Sequence, residues 1–129
     1  MLHDPLANAL NNILNAEKVG KPECIVKPAS TVIKNVLNIL KQHNYIKSFE
    51  IIDNGKAGII KIKLLGNVNK TGVIKPRFAI KKDEFEKFEK RYLPAKDFGI
   101  IILSTSKGMM THYEAKEKEL GGRLLAYCY

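Results

Sequence analysis

Gly99-Ile100-Ile101-Ile102-Leu103-Ser104-Thr105-Ser106-Lys107-Gly108-Met109-Met110-Thr111-His112-Tyr113-Glu114 is the stretch on which the fold turns. Its first five residues form a continuous apolar, β-branched run and predict a buried strand. Its last four place Thr111 three residues ahead of Glu114, a capping box that opens a helix of about two turns, through Lys118. Between them lies a polar link with three hydroxyls in succession, a lysine and a glycine. Downstream, Gly121-Gly122 ends the helix and Leu124 to Tyr129 predicts a last strand. A buried strand leading into a capped helix and back to a strand implies a mixed structure in which helices pack on a sheet.

Upstream, Val73-Ile74 and Phe78-Ala79-Ile80 read as short strand pieces around Pro76. Asp83 to Arg91 mixes both charges around Phe85 and Phe88, and fits either a short helical turn or an irregular excursion. Gly66 to Gly72 is a break in composition, and the domain boundary is placed there. Before it, Asp4 is suited to cap a helix with Pro5 at its first position. Leu6, Ala9, Leu10, Ile13 and Leu14 recur at helical spacing, and Gly20 ends that helix. Its other face carries Asn8, Asn11, Asn12, Asn15 and Lys18. Glu23 to Lys27 is a short extended piece stopped by Pro28. Ser30 caps a second helix with Ile33, Val36, Leu37 and Leu40 on one side, ending at Asn44 beside a surface His43. Tyr45 to Asp53 predicts a strand and Asn54-Gly55 a turn. Ile60 to Leu64 alternates, with its lysines leaving on one face. The expected fold class is α+β with two small subdomains. They are an α-β-α-β-β unit over 1–66 and a mostly β unit with a short helix over 67–129.

The whole chain has 129 residues, 22 Lys+Arg against 13 Asp+Glu, and a net charge of +9. A hydrophobic share of 45% excludes a disordered basic tail. The apolar runs fall far short of the ~20 residues of a membrane span. The start lacks the basic and apolar regions of a signal peptide, so the protein is expected in the cytoplasm. Cys24 and Cys128 form no metal spacing with His3, His43 and His112, and read as buried thiols in a reducing compartment. The charge is local. Eight basic residues and no acidic one lie between Asn54 and Lys82: Lys56, Lys61, Lys63, Lys70, Lys75, Arg77, Lys81 and Lys82. A solvated face would intersperse acids, so this stretch points to phosphates of a nucleic acid.

Ser104, Thr105 and Ser106 each offer one donor and two acceptor lone pairs. Lys107 adds charge, and Gly108 permits close backbone approach. The helix N-terminus beyond adds N–H groups to the same region. A phosphate loop would need G-x-x-x-x-G-K-[ST], which is absent. A nucleophilic serine would need a positioned base, and the nearby histidine is His112, just after the cap. Contact with RNA and a self-satisfied polar loop both remain compatible with the composition.

The string Ser104 to Thr111, followed by Ala115 and Gly121-Gly122, closely resembles the signature of the ribosomal protein S-eight family of the small subunit. Asp4-Pro5-Leu6-Ala7 looks like that family's opening. Ser30 to Lys34 and Tyr45 to Phe49 fall where its second helix and following strand would lie. Asn67 to Phe78 and Leu93-Pro94 look like the archaeal and eukaryotic branch. The resemblance implies direct binding to the central domain of small-subunit ribosomal RNA, at an irregular helix, early in assembly, among neighbouring small-subunit proteins. No cofactor and no membrane partner are expected, and the lack of any acid–base constellation argues against catalysis. Ser104, Thr105, Ser106, Lys107 and Gly108 would meet the RNA, with Gly121 and Gly122 close by. Lys56, Lys70, Lys75 and Arg77 are expected to hold surrounding phosphates. Tyr92 either stacks on a base or sugar, or joins Phe85 and Phe88 in the core. An alternative use of the same surface is repression of the protein's own messenger RNA.

Overall fold

Asp4 accepts a hydrogen bond from the Ala7 N–H at 3.2 Å and opens α1 (Pro5–Lys18), with Pro5 at its first turn. A computed structural model describes residues 4–27, 29–52, 55, 58–75, 77–95 and 98–129. The predicted stop at Pro28, turn residue Asn54 and pivot Pro76 lie outside them, as does Lys56. The chain forms two compact units, Met1–Lys70 and Thr71–Tyr129.

In the first unit, α1 buries Leu6, Ala9, Leu10, Ile13 and Ala16. Gly20, at φ +73°, lets the Lys21 N–H reach back to the Ala16 carbonyl at 2.9 Å and closes the helix. β1 (Glu23–Val26) follows. Ser30 then caps α2 (Thr31–Gln42) through the Ile33 N–H at 3.3 Å. Asn44 takes the left-handed conformation (φ 61°) expected at the end of this helix. β2 (Ile46–Ile52) and β3 (Ile59–Leu64) complete an antiparallel sheet in the order β1-β3-β2. α1 packs on β1 and α2 on β2. Ile60 and Ile62 are fully buried, whereas Lys63 is exposed and Lys61 stands 3.6 Å from Glu23 across the sheet. Cys24 is half-buried; desolvation, and then the Glu17 carboxylate, push its thiol up to about 11, so it stays protonated.

The second unit is built from β4 (Thr71–Val73), β5 (Ala79–Ile80), α3 (Phe85–Tyr92), β6 (Ile100–Thr105), β7 (Gly108–Thr111), α4 (His112–Glu117) and β8 (Gly122–Cys128). The antiparallel order is β4-β8-β6-β7, with β5 also paired to β8. One core joins Ile101, Leu103, Leu124 and Met110 of the sheet to Phe85 and Phe88 of α3 and Ala115 of α4. The segment left open between Asp83 and Arg91 is therefore a helix, and this unit carries two helices where one was expected. Glu89 masks this helix in the sequence. It lies four residues after Phe85, on the buried side, and is only 7% exposed. There its Oε1 binds Lys116 Nζ and lies 3.4 Å from His112 Nε2. A charged residue on the core face hides the amphipathic pattern. His112 is itself 1% exposed, and its Nδ1 accepts the Ile101 N–H at 3.0 Å.

Candidate nucleic-acid interface

The strand predicted to end at Leu103 runs on through Thr105. It turns at Ser106-Lys107 and returns as β7, with Thr105 paired to Gly108, Ser104 to Met109 and Leu103 to Met110. The expected strand-to-helix link is thus corrected to a tight β-hairpin. Met110 explains the difference: buried opposite Leu103 in the core, it draws the returning chain into the sheet. The N-terminus of α4 is also not beside the turn. Thr111 pairs with Ile102, three residue pairs away or ~10 Å along the strand. Its hydroxyl accepts the Glu114 N–H at 3.4 Å, as the capping box requires.

Within the hairpin the hydroxyls divide their work. Thr105 Oγ1 accepts the Lys107 N–H at 3.1 Å and donates to the Gly108 carbonyl at 2.8 Å. It therefore braces the turn. Gly108 sits at φ +108°, a conformation costly for any residue with a Cβ. Ser104 and Ser106 are exposed, and neither hydroxyl bonds to any of the described residues. Lys107 is exposed at the tip.

β8 lies on the other side of β6 and brings Gly121 and Gly122 to this end of the sheet. Gly122 pairs with Thr105 and, on its other side, with Ile80. A Cβ on Gly122 would stand 2.2 Å from the Ser104 carbonyl oxygen, and one on Gly121 would stand 2.4 Å from the Ile80 oxygen. Strand packing alone thus requires both glycines.

The register also exposes a residue that the sequence did not single out. Arg123 pairs with Ser104 on one side and Ala79 on the other, and all three are exposed. Cross-strand partners project from the same face, so Ala79, Arg123, Ser104 and Met109 form one row directed away from the core. The short side chains of Ala79 and Ser104 leave the guanidinium open. Among the described residues Arg123 makes no ion pair. Its one sequence signal is that it is the single charged residue in β8.

The remaining expected contacts are spread out. The Ile74 N–H donates to the Leu125 carbonyl and the Leu124 N–H to the Phe78 carbonyl. Exposed Lys75 and Arg77 thus fall between two residues, Ile74 and Phe78, that bond to β8. Lys70 ends the first unit, and the next residue, Thr71, pairs with Cys128, six residues and ~20 Å along β8 from Gly122. Lys56 is outside the described residues. Tyr92 is half-buried against the core, its ring stacked on Tyr127 with centroids 5.6 Å apart.

Taken together, this end of the second unit presents two hydroxyls unengaged by the described residues and a lysine on a hairpin whose turn is locked from within, with a guanidinium on the neighbouring strand β8. Such groups suit sugar hydroxyls, phosphates and an exposed base edge. Residues 4–129 match the family model described as Ribosomal protein S8. The chain therefore belongs to that family: it is a small-subunit ribosomal protein that binds ribosomal RNA and serves translation. Among the described residues no helix is long and apolar enough to cross a membrane.

Proposed function

We propose that this member of the ribosomal protein S8 family docks directly on an irregular helix in the central domain of small-subunit ribosomal RNA and supports subunit assembly. The observation that carries this reading is the braced hairpin with Ser104 and Ser106 unengaged beside Arg123. Regular duplex RNA hides its base edges in a deep, narrow major groove and displays 2′-hydroxyls in the shallow minor groove. Short hydroxyl side chains on a locked turn can read those sugars, or a base displaced by an irregularity, with little side-chain entropy to lose. Ser104 and Ser106 are assigned the sugar and base contacts, and Thr105 and Gly108 the shape of the turn. Lys107, Arg123, Lys75 and Arg77 are assigned the phosphates. The stacked Tyr92 favours a supporting role for that ring.

The two kinds of contact separate in binding measurements. Ser106→Ala is expected to weaken the cognate RNA helix about 10-fold, the loss of one or two hydrogen bonds, and to leave random RNA unchanged. Lys75→Ala is expected to weaken both RNAs and to lower the salt slope by about one counterion. Equal losses on both RNAs for both variants would falsify this division of labour. Footprinting on whole small-subunit ribosomal RNA tests the docking site itself, and protection confined to segments outside the central domain would rule it out.

Arg123 gives an independent check. Arg123→Ala is expected to lose about 10-fold or more in affinity, whereas Arg123→Lys keeps the salt slope but recovers only part of that loss. The reason is that an ammonium lacks the planar fork that grips a phosphate through two hydrogen bonds. Wild-type binding by Arg123→Ala would remove this residue from the interface.

A further inference from the structure

We infer that the outer edge of β2 is a docking site for an extended segment of a partner protein, which adds to the sheet of the first unit as a strand carrying a basic residue between apolar ones. This is independent of the RNA-binding reading, since it uses the other unit, and backbone groups in place of side chains. The sheet order β1-β3-β2 leaves β2 at an edge. Its register fixes which backbone groups are free. The Leu64 N–H donates to the Pro22 carbonyl at 2.8 Å, so Leu64, Ile62 and Ile60 turn their backbone groups to β1. Lys63, Lys61 and Ile59 therefore turn theirs to β2, where they meet Ser48, Glu50 and Ile52. The N–H and carbonyl groups of Phe49 and Ile51 point the other way, out of the sheet, and bond to none of the described residues.

Sheet edges are usually guarded by short length, proline or lysine. β1, at the opposite edge, is four residues long, with Pro22 before it and Lys27 after it. In β2 the guards stop early. A register shift and Lys47 occupy its start, and the stretch 49–52 holds no lysine, proline or glycine. Phe49 and Ile51 lie on the face shared with the buried Ile62 and Ile60, yet Ile51 is 49% exposed. Ile52, on the opposite face, is exposed as well. Glu50, between these two isoleucines and Phe49, is exposed and makes no ion pair among the described residues. Its cross-strand neighbour Lys61 reaches Glu23 instead. The occupant follows from this chemistry. Outward N–H and carbonyl groups in alternation are matched by another extended backbone. Apolar residues on that strand cover Ile51, and a Lys or Arg opposite Glu50 pairs with the carboxylate. A phosphate backbone would bring negative charge to the same carboxylate, so RNA fits poorly. A second copy fits no better, because a two-fold pairing through residues 49–51 of both chains sets Glu50 against Glu50.

The test adds a synthetic peptide of alternating threonine and valine, with one central lysine in place of a threonine, to the full chain and follows amide hydrogen exchange. The Phe49 and Ile51 amides are expected to exchange freely in the protein alone and to become protected as peptide is added. Replacing the peptide's lysine with glutamate is expected to weaken binding about 5-fold, and Glu50→Lys in the protein to reverse that preference. Ile51→Pro removes an outward N–H and no bond within the sheet, so the fold is expected to survive. Peptide binding by this variant is expected to fall about 10-fold or more, while its RNA affinity stays at wild type. Unchanged exchange at the two amides in millimolar peptide overturns the inference, and so does binding indifferent to the charge swap. Protection of the same amides by single-stranded RNA in place of the peptide would hand the edge to RNA and overturns it equally. A dimer in sedimentation that Ile51→Pro dissolves would hand it to a second copy, with the same consequence. Should Ile51→Pro fail to fold, the charge swap at Glu50 decides alone.

Discussion

Gly122→Ala is expected to lower the stability of the second unit by about 3 kcal/mol, at the upper end of what overpacking costs, and to drop its melting temperature by ~10 °C. The new Cβ would lie 2.2 Å from the Ser104 carbonyl oxygen and 3.0 Å from its carbon. Both are backbone atoms, so no side chain can swing aside. Relief requires β6 and β8 to part where Ser104 pairs with Arg123, so RNA affinity is expected to fall with stability. Gly108→Ala makes the useful contrast. No atom lies within 4 Å of its Cβ, and its cost is the strain of φ +108°, about 1–2 kcal/mol and confined to the turn. A thermal melt therefore separates two reasons for a glycine in this family signature. If Gly122→Ala melted like wild type yet lost RNA binding, the residue would be there for RNA approach and the packing argument would fail.

That contrast bears on what the chain discloses before it folds. Local signals were legible. Asp4, Ser30 and Thr111 cap helices as their spacing predicts, Asn44 takes the left-handed turn, and alternation buries Ile60 and Ile62 while lysines face out. These depend on residues within one helical turn or one strand. The corrections arise where distant segments meet. Met109-Met110 becomes a strand because Met110 finds Leu103 across the hairpin, which shifts the helix terminus away from the turn. α3 was obscured because Glu89 faces inward, a placement made tolerable by Lys116 and His112 from another helix. Arg123 could be recognised as an odd charge in an apolar strand, but its place beside Ser104 follows from register, which no local pattern encodes. Three consecutive hydroxyls looked equivalent in the sequence; the turn uses Thr105 internally and leaves Ser104 and Ser106 for a partner.

His112→Leu is expected to cost about 3 kcal/mol, although leucine is apolar and fills much of the same space. The imidazole is buried, and both of its ring nitrogens face polar groups. Its Nδ1 accepts the Ile101 N–H at 3.0 Å, which leaves the ring proton on Nε2, 3.4 Å from Glu89 Oε1. Leucine offers neither group. The Ile101 N–H, in a strand that is itself fully buried there, would be left without an acceptor, at about 1–3 kcal/mol. The Glu89 carboxylate would keep Lys116 but lose its second donor in a site with little water, which adds a further penalty of similar size. Lys116→Met should cost less, about 1 kcal/mol, because that side chain is 37% exposed and its pairing is partly screened by solvent. The order of the two losses is therefore the informative quantity, and urea unfolding of the two variants measures it. Amide hydrogen exchange gives the local counterpart, since Ile101 should lose protection in His112→Leu and keep it in Lys116→Met. Equal stability of His112→Leu and wild type would mean that packing alone joins α4 to β6. A loss of the expected size would mean that the strand presenting Ser104 and Thr105 is held in place by a buried polar contact 11 residues along the chain from Ile101.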